Sequence, residues 1–291
     1  MSTMKRSGIV LIGFALASVL SNTVALVNPA RAEISAHQSP AYVAGTGVLH
    51  SKRLTLHKPA VRDDDPAIPL VTEAIAKSNA GDNQAAVEVA TKAITKYPNS
   101  AIAYAYRGSF YYMLNKFPEA LADENKALSL CPTYAQALKT RAAIHIFGSP
   151  QDMQAATEDL TKALASDCSD PVIWYFRGYV RFLANNFAEA LPDLCVANDI
   201  SGGGWFFSHF FRGNTLTYLS MYSVAEPDAQ QAIKLDPKSG DGYWLLGYVY
   251  EHTNRKPAAA EQYQKAVDAF TAANDTANAE FARNALKRVS S

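Results

Sequence analysis

"YRGSFYYMLNKFPEALADENKALSLCP", residues 106–132, gathers an arginine, a cluster of tyrosines, paired acids and a cysteine in one short run. Alone it has the composition of half an active site. The rest of the chain removes that reading, because the same template returns. It reappears as "FRGYVRFLANNFAEALPDLCVANDISG" from Phe176, "FRGNTLTYLSMYSVAEPDAQQAIKLDP" from Phe211 and "LLGYVYEHTNRKPAAAEQYQKAVDAFT" from Leu245. Gly178, Gly213 and Gly247 are 35 and 34 residues apart (213 − 178 and 247 − 213), and Gly108 holds their place in the first of these copies. A copy with two extra residues around Ser149 and Pro150 starts at Thr140, and an earlier one closes with "GDNQAAVEVATKAITKYP", residues 81–98. A fixed period of this size marks a repeat architecture.

Each unit holds two amphipathic helices. Counting the first residue of a unit as place one, places four, eight and eleven share a helical face, as in Tyr104, Gly108 and Tyr111. Places twenty, twenty-four and twenty-seven do the same on the second helix, as in Ala120, Glu124 and Ala127, or Ala259, Tyr263 and Ala266. Small residues such as Gly108 facing Ala120 let the two backbones approach, and Pro132 or Pro237 stops the second helix. One pair cannot bury its own apolar face, so the copies must stack. The expected fold is all-α, an α-α solenoid.

This pattern resembles the tetratricopeptide repeat, over six units at about residues 67–100, 101–134, 135–170, 171–204, 206–239 and 240–272. Unit three carries the insertion, and unit one lacks the bulky-then-glycine core. The resemblance implies a right-handed superhelix whose first helices line a concave side, with places two, five, nine and twelve facing the groove. It also implies a protein or peptide partner. At those places the sequence offers an aromatic series: Tyr112, Tyr175, Tyr179, Phe182, Phe210, Trp244 and Tyr248, with Asn214 among them. Such rings suit apolar contact with an extended or helical peptide. They suit self-packing equally well, with the lead-in or the last helix covering them. Lys139 and Asn214 alone do not make a site for a terminal carboxylate.

An arginine and an aspartate recur with the repeat: Arg107 with Asp123, Arg141 with Asp159, Arg177 with Asp193 and Arg212 with Asp228. Unit one has Glu73 and Val89 at those places and unit six has Leu246 and Gln262, so the two partners vanish together. A catalytic arginine has no reason to appear four times in register. A structural ion pair inside each unit does, since a paired guanidinium tolerates partial burial.

The ends of the chain read differently. Lys5 and Arg6, the apolar run from Gly8 to Leu20 and the triplet Ala30, Arg31, Ala32 form a signal peptide, residues 1–32, cleaved after Ala32. The protein is therefore expected to be exported, periplasmic or secreted, and free of the membrane after cleavage. Residues 33–65 lack periodicity and read as a flexible lead-in, with Asp65 and Pro66 starting the first helix. Asn274 and Asp275 open a capping helix through about Val289, within residues 273–291. Losing Lys5, Arg6 and Arg31 changes the charge count from 27 basic and 27 acidic residues to 24 and 27, a net of 24 − 27 = −3. That balance offers no footprint for nucleic acid.

Little remains for chemistry. Cys131, Cys168 and Cys195 lack ligand spacing and read as packing thiols; if a bridge forms, Cys131 and Cys168 are the pair. His37, His50 and His57 lie near Asp63, Asp64 and Asp65 without a defined ligand spacing, so no metal and no cofactor is expected. There is no nucleophile elbow, phosphate loop or zinc-helix motif, and the glycines at 202–204 read as a repeat junction. The chain is expected to be a non-enzymatic adaptor, with a glycan or envelope-polymer binder, or an accessory subunit of an envelope or secretion complex, as alternatives.

Overall fold

A computed structural model describes residues 65–291. Over this span the protein is all-helical and forms an α-α solenoid of consecutive packed helix pairs. The signal peptide and most of the lead-in, with its three histidines, lie outside the described residues. The described chain divides into two compact units, residues 65–181 and 182–291.

The first unit holds α1 (Ile68–Asn79), α2 (Asn83–Lys96), α3 (Ala101–Met113), α4 (Phe117–Leu130), α5 (Ala135–Phe147), α6 (Met153–Ser166) and α7 (Pro171–Leu183), whose last two residues cross the division. Within it α1 packs on α2, α3 on α4 and α5 on α6, while α3 also meets its counterparts α1 and α5. The second unit holds α8 (Phe187–Ile200), α9 (Phe206–Tyr218), α10 (Tyr222–Leu235), α11 (Gly240–His252), α12 (Lys256–Ala272) and α13 (Thr276–Ser290). There α9 pairs with α10, α11 with α12, and α13 packs on α12.

The repeat explains these contacts residue by residue. Places twenty and twenty-seven of every unit are alanines with no exposure: Ala86 and Ala93, Ala120 and Ala127, Ala156 and Ala163, and so on through Ala259 and Ala266. A methyl group there sets the close approach of the second helix to the first. Gly108 completes it from the other side, since a Cβ at that position would stand 3.2 Å from the Ala120 carbonyl oxygen and 2.5 Å from Glu124 Oε1.

Turns between helices are made by left-handed residues. Asn115, Asn185, Ser220 and Asn254 all have φ near +60°, and each ends the first helix of its unit. Asparagine tolerates this conformation because its side chain bonds locally, and it releases the last carbonyls of the helix to short turn bonds. Unit three has no such residue; Gly148, Ser149 and Pro150 carry its longer connection.

Second helices start on side-chain caps where the sequence supplies them. Asp82 accepts from the Ala85 amide and Asp152 from the Ala155 amide, both at 2.9 Å. At the beginning of α1 the boundary differs from the expectation. Asp65 accepts from the Ala67 amide and from the Ser100 hydroxyl, both at 2.9 Å, and the helix itself starts at Ile68. At the far end Asp275 caps α13 through the Asn278 amide. Asn274 is the left-handed residue before it, with φ 58°.

Candidate functional site

Arginine and aspartate meet inside the units as forked pairs. Arg107 donates from Nε to Asp123 Oδ2 at 2.7 Å and from Nη2 to Oδ1 at 2.8 Å. Arg141 does the same to Asp159, both at 2.7 Å, and Arg212 to Asp228 at 2.8 and 2.6 Å. The aspartates are buried, and a bidentate partner is what makes a buried carboxylate tolerable. In turn the aspartates hold the guanidinium charge more firmly than water does. Arg177 and Asp193, of one repeat, fall on either side of the division after residue 181; on its own side Arg177 lies over the Trp174 ring, 5.2 Å from its centre.

The third guanidinium nitrogen does something the sequence reading missed. Arg107 Nη1 reaches the Thr91 hydroxyl at 3.3 Å, and Arg141 Nη1 reaches Asn125 Oδ1 at 2.8 Å. Thr91 and Asn125 both stand at place twenty-five of the preceding repeat, so each arginine ties its own pair to the one before it. Cys195, at the same place, bonds Arg212. The signal was present as a polar or thiol residue recurring at place twenty-five. In the last of these clusters His209 joins Asp228 at 2.7 Å from Nδ1, while its Nε2 faces the Gly203 carbonyl at 3.0 Å.

The aromatic series is placed otherwise than an open groove requires. Tyr112, Tyr175, Tyr179, Phe182, Phe210, Asn214, Trp244 and Tyr248 are all at most 6% exposed. Tyr175 stacks on Tyr179, and Tyr179 on Phe147. Phe182 packs edge-on to Phe187, Phe211 and Tyr218, and Phe210 stacks on Phe206. Trp244 stacks on Tyr248 at 5.2 Å and meets Phe281 of α13 at 5.7 Å. Of the two expectations, rings presented to a ligand and rings packed on one another, this arrangement follows the second: the rings meet one another, and Phe281 of the last helix packs on Trp244.

Polar groups on the same first-helix faces tell a second story. In the first unit, Ser109, Gln136 and Thr140 form a buried cluster, with Gln136 donating to Ser109 at 3.1 Å and the two hydroxyls 3.0 Å apart. Lys139 is spent on Asp170 at 2.7 Å, which removes it as a free cation. Gln136 Oε1 and the Tyr112 hydroxyl are buried with no hydrogen-bond partner. In the second unit Asn214 donates to the Phe210 carbonyl, yet its Oδ1 is likewise unpartnered. Burial pushes the Tyr112 hydroxyl well above the ordinary tyrosine range, so it stays a donor.

Among the described residues no group of three or more histidine, cysteine, aspartate or glutamate side chains is arranged to hold a metal ion. Cys131, Cys168 and Cys195 are thiols, with no disulfide among the described residues. None of the described helices is long and apolar enough to cross a membrane.

Comparison with known proteins agrees with this geometry. Residues 71–135 and 212–275 match the tetratricopeptide repeat family. The chain is 33% identical over 91 residues to the SGT1 homolog of Bos taurus, covering 28% of this chain and 27% of that protein. It is 28% identical over 187 residues to tetratricopeptide repeat protein 6 of Homo sapiens, covering 62% and 35%. The chain thus spans about a third or less of these relatives. Among solved structures, YrrB, described as a TPR protein with an unusual peptide-binding site, superposes with a TM-score of 0.60 at 24% identity, over 69% of this chain and 99% of that one. The Cut9–Hcn1 assembly of the APC/C superposes with a TM-score of 0.62 at 15% identity, over 95% and 52%. Two stretches of the chain match the tetratricopeptide repeat by sequence, and the solenoid they belong to has the fold seen in solved proteins of that kind.

Proposed function

We propose that this protein is an exported, non-enzymatic scaffold that holds a segment of another protein against its first helices. Tetratricopeptide repeats act as protein-interaction scaffolds, and it is this family that residues 71–135 and 212–275 match. The observation that carries the finer reading is the set of unsatisfied buried oxygens on the first-helix faces: Gln136 Oε1 and the Tyr112 hydroxyl in one unit, Asn214 Oδ1 in the other. A buried polar atom without a partner costs about 1–3 kcal/mol. The amide nitrogens of Gln136 and Asn214 are committed internally, so each side chain offers an acceptor that takes an N–H donor. An extended backbone supplies such donors at regular intervals. Because the face is covered, capture involves parting it.

YrrB supports the class of ligand, since its own description is of a peptide-binding site. With Lys139 held by Asp170, the first unit keeps no free cation at Lys139 for an acidic terminus. Nothing in the packing favours a glycan, because the rings stack on one another.

A photo-crosslinking residue at Ser109, compared with one at the exposed Lys162 of the second-helix face, tests this in the native compartment. The expected result is one discrete polypeptide adduct at position 109, absent at 162 and lost on Gln136→Leu. Adducts of equal yield at both positions, or none at 109, overturn it. Export is tested separately by fractionation and by the mass of the processed chain, expected to begin at Glu33.

A further inference from the structure

Glu124 lies on α4, beside Asp123, at the place where the other repeats carry Ala90, Leu160, Leu194, Ala229 and Tyr263. It has no exposure at all, and neither carboxyl oxygen has a hydrogen-bond partner. The carboxyl is aimed at the α3 backbone, so that a Cβ on Gly108 would meet Oε1 at 2.5 Å. The corresponding contact in the last repeat is between Gly247 and Tyr263, but there the polar end is satisfied, with the Tyr263 hydroxyl donating to Glu251 at 2.7 Å.

The groups around Glu124 do not provide for a charge. From α3, Arg107 faces the region and is forked onto Asp123. From α5, Arg141 is forked onto Asp159 and bonded to Asn125, and Lys139 is held by Asp170. Asp123 on its own helix is a negative neighbour, the Thr140 hydroxyl of α5 is near enough to favour the charged form slightly, and Tyr134 of the following turn is near but neutral. Each of these cations already has a carboxylate partner of its own.

We propose that Glu124 makes the α3–α4 helix pair pH-sensitive: its carboxyl packs beneath Gly108 as the neutral acid, and ionisation forces the two helices apart. The electrostatic setting agrees with the geometry. Burial raises this carboxyl well above the ordinary carboxylate range, and Asp123 adds to it, against the weaker opposing pull of Arg141 and Lys139. A folded value raised above the unfolded one means that the contribution to stability is complete below the ordinary carboxylate value near 4.5. It is lost as pH rises toward the folded value.

The test uses the full chain. Urea unfolding of the wild type, Glu124→Gln and Glu124→Leu is followed from pH 5 to pH 9. The wild type should lose ground to both variants as pH rises, by up to about tenfold in the unfolding equilibrium constant per pH unit, the limit for one proton. Parallel profiles for the three proteins overturn the proposal. Infrared spectroscopy of the native protein at neutral pH gives an independent reading if the leucine variant fails to fold. A protonated-carboxyl band should be present in the wild type and missing from Glu124→Gln; its absence from the wild type also overturns the proposal.

Discussion

Within residues 65–181 two buried polar regions lie on opposite terms with the fold. Along the seam between first and second helices, Arg107 and Arg141 satisfy their aspartates at both oxygens and then reach back to Thr91 and Asn125. On the faces of α3 and α5, an equally buried group of residues leaves Gln136 Oε1 and the Tyr112 hydroxyl without partners. The arginine–aspartate pairs of the seam are complete by themselves, so their charges belong to the architecture. The face is incomplete by itself, and the proposed partner is what would complete it. Burial alone does not separate the two, because the aspartates of the one and the polar side chains of the other are both inside the fold. Satisfaction of hydrogen bonds does.

The largest expected effect is on the seam. Arg141→Ala leaves Asp159 buried and unpaired and also frees Asn125, and should cost about 3 kcal/mol or more in urea unfolding. Replacing both partners, as Arg141→Met with Asp159→Leu, should recover most of that loss.

Next is Gly108→Ala, whose added methyl group would collide with Glu124 Oε1 and press on the Ala120 carbonyl. A loss of about 1–3 kcal/mol is expected, relieved when Glu124→Ala is added. If the glycine change is harmless, helix approach at that level is looser than the structure has it.

A cap comes third: Asp152→Ala removes the acceptor for the Ala155 amide and should lower stability by about 1 kcal/mol. The smallest effect is on the face. Gln136→Leu takes away a buried unsatisfied oxygen and should leave the unfolding midpoint unchanged or slightly higher while abolishing the partner adduct. A large loss of stability instead would move Gln136 to the seam's side of the comparison.

Much of this fold could be read from residues 106–132 and their copies. Gly108, Ala120 and Ala127 define one helix pair, and their recurrence defines the stack. The joint absence of arginine and aspartate from the first and last units pointed to a pair, because two charges that depend on each other disappear together. The link to the preceding repeat was harder to see, since place twenty-five is filled by Thr91, Asn125 or Cys195 and the shared property is only a lone pair at the right height. The first helix begins at Ile68, later than Asp65 and Pro66 imply, while Asp65 still accepts from the Ala67 amide ahead of it. Whether the aromatic series is presented or packed away stayed open in the sequence for a physical reason. Helical spacing fixes which rings share a face, whereas whether Trp244 is open depends on Phe281, nearly forty residues later and on another helix.

The double-mutant cycle between Arg141 and Asp159, measured by urea unfolding of the full chain, tests the central claim most directly. A structural seam predicts a coupling of about 2 kcal/mol or more between the two, with the double replacement by Met and Leu close to wild type in stability. A coupling near zero, with each single change costing little, would contradict it and return the arginine to the list of candidate binding residues.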